Sequence, residues 1–384
     1  MTSAFSSLLE QWYAVSGRDL PWRHTRDPYL IMLSELILQQ TQVSQGMDYY
    51  LCFAERYPTA EHLAAASEEE VLLLWQGLGY YSRARHLHAA AKQIAQAGCF
   101  PKDYASVRAL PGVGDYTAAA IMSFAFDQPY AVIDGNVQRV LSRYFGISEP
   151  VDTTKGKKLL RALADEMLDH RHAALYNQAI MDFGALQCKP TSPACSVCPL
   201  SDTCIALETH QVDILPVKSK RTAIRDRFLT YIYIRTKDGH TLLHRRGSGD
   251  IWQGLFEFPL IESEKPLMQS EVERHILTSG LLGLGLLTGN DKEISGNGNW
   301  LTPIARDVRH QLTHQRLHAD FYCLSLPVSI PVPQSSDKSL HPKPEVSTED
   351  PSIANAQWIR ESDLDRYALP RLLEKLLEMQ QVLL

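Results

Sequence analysis

The stretch that decides the fold is Leu110-Pro111-Gly112-Val113-Gly114-Asp115-Tyr116-Thr117. Its two glycines, separated by one residue, let the backbone turn tightly where a side chain would clash. The apolar run from Thr117 to Phe126 then predicts a helix. The N–H groups of the turn and of the helix start would point outward as an anion site, which suits the phosphate of a nucleic acid. A Gly-x-Gly turn usually marks an ordinary helix start, so other motifs must decide the function.

Two carboxyl groups are candidates for chemistry. Asp134 follows the predicted helix, and Glu35 lies in the middle of Pro28 to Gln42, a segment that we interpret as a helix apolar almost all round. Burial would raise the pKa of Glu35 and keep it protonated as a general acid; the alternative is an ordinary glutamate on one exposed stripe. The glycine and amide after Asp134 could keep that residue ionised by hydrogen bonding. Two carboxyl groups in different environments are the usual requirement for cleaving a glycosidic bond, and we extend that logic to an N-glycosidic bond.

Four of the seven cysteines follow the pattern Cys188-x6-Cys195-x2-Cys198-x5-Cys204. In a cytosolic chain this spacing indicates a metal or cluster site rather than disulfides. Zinc is one alternative, although four-cysteine zinc sites tend to use two matched short pairs. A [4Fe–4S] cluster is the other, and spacing alone leaves the two nearly even. The remaining cysteines are isolated and are predicted to be buried or inert: Cys52, Cys99 and Cys323.

Length and charge set broad limits. A chain of 384 residues predicts two domains. Lys and Arg number 38 against 44 Asp and Glu, so the basic excess that is typical of nucleic-acid binding is missing. DNA contacts must then come from backbone donors and from local patches at Arg83 and Arg85, Arg139 and Arg143, or Lys155, Lys157 and Lys158. Neither a signal peptide nor a bilayer-spanning apolar run is evident, so we expect a cytosolic protein.

The sequence pattern changes near residue 211. Residues 212–226 are predicted to form a polar linker, and Phe228 to Ile234 predicts a strand because it is rich in β-branched and aromatic residues. The turn Asp238-Gly239 predicts a hairpin between that strand and Thr241 to Arg246. The Pro- and Ser-rich stretch from Ser329 to Ser352 is predicted to be a flexible insertion.

These motifs resemble those of the helix-hairpin-helix DNA glycosylases. That superfamily carries Leu-Pro-Gly-Val-Gly-x-x-Thr, then an Asp before Gly-Asn-Val, then Cys-x6-Cys-x2-Cys-x5-Cys, and this chain has all three in order. Leu33 to Gln42 and Gly77 to Arg85 are similar to the adenine DNA glycosylase (MutY) branch. The resemblance implies an all-α catalytic domain over residues 1–211, with a [4Fe–4S] cluster on the loop 188–204. It also implies a monomeric enzyme of the bacterial cytosol and nucleoid, which removes adenine mispaired with 8-oxoguanine or guanine in double-stranded DNA.

The same resemblance implies roles for single residues. Glu35 would protonate adenine N7 and then activate water, Asp134 would stabilise the oxocarbenium ion, and Tyr116 and Asn136 would position them. Adenine would be flipped out of the duplex into a pocket lined by Trp22, Arg23, Leu38 and Gln178. DNA would be contacted by Gln40, Thr41, Leu78, Tyr80, Gly112 and Gly114. Without the motif match, Tyr80 would be interpreted as a core aromatic and Gln40 as a solvated helix end.

The segment Ile251 to Pro259 resembles the core of a Nudix domain, which implies an α+β second domain over residues 227–384. Nudix hydrolases need an Arg-Glu-x-x-Glu-Glu box to hold metal, and Ser270 to His275 lacks it. We therefore expect a recognition domain. Adenine glycosylases sense 8-oxoguanine through a Phe-Ser-His loop. This chain has Leu312, Thr313 and His314 there, which keeps a hydroxyl and an imidazole and loses the aromatic ring.

Two other functions compete with this interpretation. The endonuclease III branch, which is bifunctional, has a lysine at the position of Tyr116, and a phenol cannot form the Schiff base that a lyase needs. Tyr116 and the second domain therefore disfavour a pyrimidine-lesion glycosylase/lyase. A non-catalytic DNA-binding protein on the same scaffold is disfavoured because both Glu35 and Asp134 are present.

Overall fold

The structure, a computed structural model, describes residues 2–219, 224–278, 300–327 and 356–383. The chain forms two compact units. The first comprises Met1–Ser67 and Arg83–Arg221, and the second comprises Glu68–Ser82 and Thr222–Leu384. The predicted insertion from Ser329 to Ser352 lies outside the described residues. Within the described ranges, no helix has both the length and the apolar character needed to cross a membrane.

Up to residue 219, the regular structure is helical. The helices are α1 (Thr2–Ser16), α2 (Pro28–Leu38), α3 (Val43–Arg56), α4 (Ala60–Ala65), α5 (Glu68–Leu74), α6 (Ser82–Ala97), α7 (Tyr104–Arg108), α8 (Asp115–Phe126), α9 (Gly135–Tyr144), α10 (Thr154–Met167), α11 (Ala173–Leu186) and α12 (Ile205–Glu208). Apolar residues of α1, α9, α10 and α11 form one continuous core of the first unit, for example Phe5, Leu141, Leu160 and Ile180.

Helix α2 carries Glu35. The Asp27 carboxylate caps its N-terminus by accepting a hydrogen bond from the Tyr29 N–H at 2.8 Å. Nearly every residue from Tyr29 to Ile37 is buried, as the lack of a polar stripe predicts. The helix ends at Leu38 and not at Gln42, because the chain turns there and Gln40 takes a left-handed backbone conformation with a φ of 57°. The expected helix is therefore present but shorter.

A tight hairpin joins α7 to α8. The Val113 N–H donates to the Leu110 carbonyl at 3.1 Å, and Gly112 has a φ of 77°. This is the conformation that the third position of a type II turn requires. A Cβ at Gly112 would also lie 2.7 Å from the Cβ of His86. Gly114 has a φ of −90°, and a Cβ there would meet no atom within 4 Å, so the fold alone requires only the first glycine.

The second unit contains two sheets. Its elements beyond residue 224 are β1 (Arg225–Thr236), β2 (His240–Arg245), β3 (Phe256–Glu257), β4 (Leu260–Ser263), α13 (Gln269–Thr278), β5 (Leu301–Gln311), β6 (Gln315–Leu326), β7 (Ala356–Arg360) and α14 (Arg371–Leu383). The sheet orders are β4-β1-β6-β5 and β3-β2-β7. Ile232 of β1 packs with Ile276 of α13, whereas Tyr231 packs with Leu372 of α14, so β1 is buried on both faces. The predicted fold class, a helical domain followed by an α+β domain, is confirmed.

The predicted hairpin between β1 and β2 is wrong. The turn itself forms, since the Gly239 N–H donates to the Thr236 carbonyl at 3.1 Å. However, β1 pairs in parallel with β6 along one edge and antiparallel with β4 along the other. The pairing with β6 extends over the whole of β1 and the pairing with β4 over Phe228 to Tyr231, whereas β2 pairs with β3 and β7 in the other sheet.

The first residues of the predicted linker are attached to the first unit. The Leu215 carbonyl accepts a hydrogen bond from Nε of Arg143 at 3.0 Å, and the Val217 carbonyl accepts one from the Val151 N–H at 3.0 Å. Leu215 is also buried. Residues 220–223, in the middle of the predicted linker, lie outside the described ranges.

We predict that Gly184→Ala lowers the free energy of unfolding by about 1–3 kcal/mol, because it overpacks the contact between α9 and α11. The added Cβ would lie 2.6 Å from the Cβ of Asn136 and 2.9 Å from its carbonyl oxygen. Gly135→Ala on α9 is the matched control, since a Cβ there meets no atom within 4 Å. Urea unfolding of both variants makes the comparison, and equal stability of the two would contradict the prediction.

Candidate functional site

One pocket of the first unit gathers most of the residues singled out in the sequence. Its volume is about 540 Å³, within the range of small-molecule sites. Side chains from α2, α8, α9 and α11 reach it, together with the short turn that precedes α2. All four predicted catalytic residues and all four predicted adenine-binding residues line it: Glu35, Tyr116, Asp134, Asn136, Trp22, Arg23, Leu38 and Gln178. Thr41 lines it as well.

Glu35 is a buried carboxyl group with an altered acidity. It is 6% exposed, and its burial raises the pKa to about 7. The nearby Asp134 adds to the rise, whereas a hydrogen bond from the Tyr116 hydroxyl and the charge of Arg23 oppose it. The pKa of Tyr116 is itself raised well above its ordinary value by burial and by the two carboxyl groups, so its phenol stays protonated and donates. Glu35 can therefore hold a proton near neutral pH and release it there.

Asp134 is half-buried, and its surroundings differ from those of Glu35. It caps α9, accepting hydrogen bonds from the Val137 N–H and from Nδ2 of Asn136, both at 2.7 Å. Burial raises its pKa, and these hydrogen bonds and the charge of Arg139 oppose the rise. A helix N-terminus also favours negative charge. The structure thus places a carboxyl group that receives several donors beside Glu35, which receives one from Tyr116.

Further residues, which the sequence did not single out, hold the pocket in shape. Asp182 is fully buried and accepts hydrogen bonds from both terminal nitrogens of Arg23 at 2.7 Å, and it also pairs with Arg18. The Tyr13 hydroxyl donates to Oε1 of Gln178 at 3.0 Å. A single aspartate within the apolar sequence of α11 was the available signal for Asp182, since a buried carboxylate needs a partner.

The predicted DNA contacts fall in both units. Gly112 and Gly114 lie in the α7–α8 hairpin, and Gln40 is exposed just after α2. Tyr80 is 49% exposed, with a left-handed φ of 47°. Leu78 is only 5% exposed, so the structure does not bring its side chain to the surface as a contact with DNA requires. It belongs with Tyr80 to the segment of the second unit that precedes α6.

Three arginines of the predicted basic patches are not surface groups. Their side chains are at most 9% exposed and bind backbone carbonyls: Arg83, Arg139 and Arg143. A guanidinium group whose N–H groups donate to carbonyl groups inside the fold is not available to bind phosphate. The three lysines, in contrast, lie at exposed positions of α10: Lys155, Lys157 and Lys158.

The predicted sensing residues form the turn between β5 and β6. The Leu312 N–H donates to the Gln315 carbonyl at 2.8 Å, which leaves Thr313 and His314 exposed at the tip. The hydroxyl groups of Thr313 and Tyr80 are hydrogen bonded at 2.7 Å. Leu312, which stands where the family has an aromatic ring, packs against the core on the α14 side of the sheet.

The four spaced cysteines line one cavity together with apolar residues such as Phe183 and Leu200. All four are free thiols, and Arg143 donates to Sγ of Cys188 at 3.4 Å. Four thiol groups on one cavity form a donor set that suits either a zinc ion or an iron–sulfur cluster. Of the other cysteines, predicted to be buried or inert, Cys52 and Cys99 are exposed, so burial does not apply to these two.

The helical fold, its hairpin and its pocket define a helix-hairpin-helix protein of base excision repair. The family model described as HhH-GPD superfamily base excision DNA repair protein matches residues 33–166, and the NUDIX domain model matches residues 230–379. The solved structure of a thermostable thymine-DNA glycosylase is similar, with a TM-score of 0.51 and 32% identity, and the match covers 54% of this chain and 97% of that one.

Curated relatives narrow the family further. The adenine DNA glycosylase of Buchnera aphidicola subsp. Baizongia pistaciae is 36% identical over 261 residues, which are 67% of this chain and 74% of that protein. The adenine DNA glycosylase of Homo sapiens is 36% identical over 297 residues, 74% of this chain and 54% of the human protein. The chain belongs to the adenine DNA glycosylase family. It is a DNA glycosylase of base excision repair, and DNA is its substrate.

The raised pKa of Glu35 predicts a pH-dependent effect of Glu35→Gln on stability. Between pH 4.5 and 7 the unfolded chain releases this proton and the folded chain keeps it, so the wild type loses stability as the pH rises. The unfolding free energy of the variant minus that of the wild type should therefore increase by about 3 kcal/mol from pH 4 to pH 8. Urea unfolding at both pH values measures it, with Glu166→Gln on the exposed side of α10 as control. A difference that is constant with pH would contradict the prediction.

Proposed function

We propose that this glycosylase hydrolyses the N-glycosidic bond of adenine mispaired with 8-oxoguanine or guanine in double-stranded DNA. The observation that carries the proposal is a pair of carboxyl groups in one pocket, one buried with a pKa of about 7 and one half-buried at a helix N-terminus. The named relatives support adenine as the base. We further propose that the enzyme acts as a monomer on the nucleoid of a bacterial cell.

The reaction needs one proton donor and one anion. Protonated Glu35 gives its proton to N7 of the flipped adenine, the bond from C1′ to N9 breaks, and adenine leaves as a neutral base. The ionised Asp134 stabilises the positive charge that develops on the sugar ring. Glu35, now a carboxylate, takes a proton from water as the water oxygen bonds to C1′. The carboxyl group is thereby restored, and the bond is hydrolysed without a lyase step.

Tyr116 decides between the two chemistries known for this scaffold. Its phenol has no nitrogen with which to form a Schiff base, and its hydroxyl donates to Glu35. Its proposed role is to orient that carboxyl group, while Asn136 orients Asp134 through its hydrogen bond. Trp22, Arg23, Leu38 and Gln178 would surround the base.

DNA is proposed to be held through backbone groups rather than by a basic face. The N–H groups of the α7–α8 hairpin and of the first turn of α8 would bind a phosphate. The unhindered space at Gly114 supports this assignment, since nothing in the protein itself fills it. Gln40 and Tyr80, two exposed residues in left-handed conformations, would insert into the base stack, with Thr41 beside Gln40. Leu78 would support Tyr80 from within the fold.

The second unit is proposed to recognise the base opposite adenine. Thr313 and His314 lie at an exposed turn, and Thr313 is hydrogen bonded to Tyr80. One wedge residue and one sensing residue of the same unit are therefore directly connected. We assign catalysis to residues 1–211 and recognition to residues 227–384, with residues 212–226 between them and the Leu78–Tyr80 segment added to the recognition unit.

The cofactor is proposed to be a [4Fe–4S] cluster, bound by Cys188, Cys195, Cys198 and Cys204. Their shared cavity and the all-thiol donor set support this assignment. When bound, the cluster cross-links the loop through iron–thiolate bonds. Arg143, which contacts Cys188 and the neighbouring carbonyls, would orient the loop.

We predict that Glu35→Gln and Asp134→Asn each lower the single-turnover rate of adenine excision from an A·8-oxoguanine duplex by roughly 10²–10⁴-fold, because each removes one of the two carboxyl groups that the chemistry needs. Duplex binding should change little, since neither residue belongs to the proposed phosphate and base-stack contacts. Alkali-induced strand scission measures excision, and duplexes with thymine glycol test the pyrimidine alternative. Excision at the wild-type rate by either variant would refute the mechanism, and an efficient borohydride-trapped adduct would indicate a lyase.

We predict that Thr313→Val and Tyr80→Phe each reduce the preference for A·8-oxoguanine over A·G about fivefold. This factor corresponds to the net free energy of one hydrogen bond. Each variant removes one hydroxyl of the hydrogen-bonded pair. Excision rates on the two duplexes, measured in parallel, give the preference. Thr302→Val, at an exposed position of β5, is the control for the loss of a threonine hydroxyl. Unchanged preferences in both variants would remove the turn from lesion sensing.

A further inference from the structure

A buried arginine occupies the C-terminal end of α2. Arg83 is 5% exposed, and its Nη1 lies 3.1 Å from the Leu36 carbonyl, 2.5 Å from the Ile37 carbonyl and 2.6 Å from the Gln39 carbonyl. The same nitrogen lies 3.0 Å from the Thr41 hydroxyl. The last carbonyls of an α-helix have no partner within the helix. Here one guanidinium group from α6 supplies the donor.

These contacts account for the end of α2 at Leu38. A carbonyl that accepts from Arg83 is not available to the N–H groups that would continue the helix, although Gln39, Gln40 and Gln42 are good helix formers. The Gln39 side chain is held as well, since its Nε2 donates to the Thr117 hydroxyl at 3.2 Å. With residues 39 and 41 both fixed, Gln40 takes a left-handed backbone and stays exposed.

The left-handed conformation of Gln40 needs such support. For a residue other than glycine this conformation is strained, and it persists only where the surroundings determine it. Arg83 cannot act by touching the duplex, because its guanidinium group is enclosed by the end of α2. Its effect on DNA must pass through the segment that it holds.

We propose that Arg83 is a positioning residue for base flipping, which sets the backbone at Gln40 so that the Gln40 side chain points out of the protein and into the base stack. The proposal rests on the wedge role given to Gln40 in the proposed function. It assigns to Arg83 neither a phosphate contact nor a part in proton transfer. The proposal predicts that the contribution of the Gln40 side chain to base flipping depends on a hydrogen-bond donor at position 83.

A double-mutant cycle tests this dependence. The full-length enzyme carries Asp134→Asn, which does not cleave. It is mixed with a duplex in which 2-aminopurine replaces the target adenine opposite 8-oxoguanine. The fluorescence of 2-aminopurine increases when this base leaves the stack. We expect Gln40→Ala to lower the flipping equilibrium about fivefold when Arg83 is present and less than about twofold in an Arg83→Gln background. Arg83→Lys, which keeps a charged donor, should restore most of the effect of Gln40→Ala.

Each other result contradicts a stated part of the proposal. An equal effect of Gln40→Ala in both backgrounds would show that Arg83 does not act through Gln40, and would overturn the inference. No effect of Gln40→Ala with Arg83 intact would remove the wedge role and the inference with it, but would leave the excision chemistry, which is measured separately, unaffected. Lys92→Gln, at an exposed position of α6, controls for the loss of one positive charge. If Arg83→Gln does not fold, Thr41→Val, which removes one acceptor and no charge, replaces it in the cycle and should reduce the effect of Gln40→Ala.

Discussion

The arrangement of the pocket in the first unit depends on the burial of one carboxyl group. A carboxylate is costly to remove from water, and Glu35 avoids that cost by keeping its proton until about pH 7. Helix α2 can enclose this group because its other residues are apolar on nearly every side, so packing fixes the helix without help from its polar residue. Tyr116 gives the carboxyl group a defined orientation, and the charge of Arg23 limits the rise of its pKa. The rest of the pocket consists of groups that hold these neighbours still, above all Asp182, which binds Arg23 through both terminal nitrogens.

The distribution of charge follows a second pattern. The chain carries a formal net charge of −6, although its substrate is a polyanion. Several arginine side chains donate hydrogen bonds inside the protein. Arg83 donates to carbonyls at the end of α2, and Arg139 and Arg143 donate to carbonyls around the cysteine loop. The positive charge of these arginines therefore organises the backbone, and in the proposed function backbone N–H groups at the hairpin contact phosphate. A protein built in this way has fewer charge contacts to lose as salt rises than one that relies on surface lysine and arginine.

Local patterns in the sequence predicted those structural features that depend on residues close together in the chain. The hairpin with its glycine at a positive φ, the apolar helix α2 and the two-domain organisation were all predictable, since turn chemistry and periodicity act over a few residues. The meeting of Glu35 and Asp134 was not visible in spacing, because almost one hundred residues separate them, and it was inferred from their chemistry and from the resemblance. The end of α2 depends on Arg83, and the sheet of β1 on its distant partner β6, so both features differ from the local expectation. The exposure of Cys52 and Cys99 has no sequence signal at all.

The capping of α9 by Asp134 has a consequence for how this scaffold can change in evolution. One carboxylate begins a helix and also belongs to the proposed reactive pair, so most replacements would disturb the fold and the proposed chemistry together. Asparagine and serine are exceptions, because their side-chain oxygens can still accept a hydrogen bond from the Val137 N–H while they carry no charge. Few replacements at this position would therefore give a folded but inactive DNA-binding protein. A descendant that had lost the reaction but kept the architecture would be expected to carry one of these two residues.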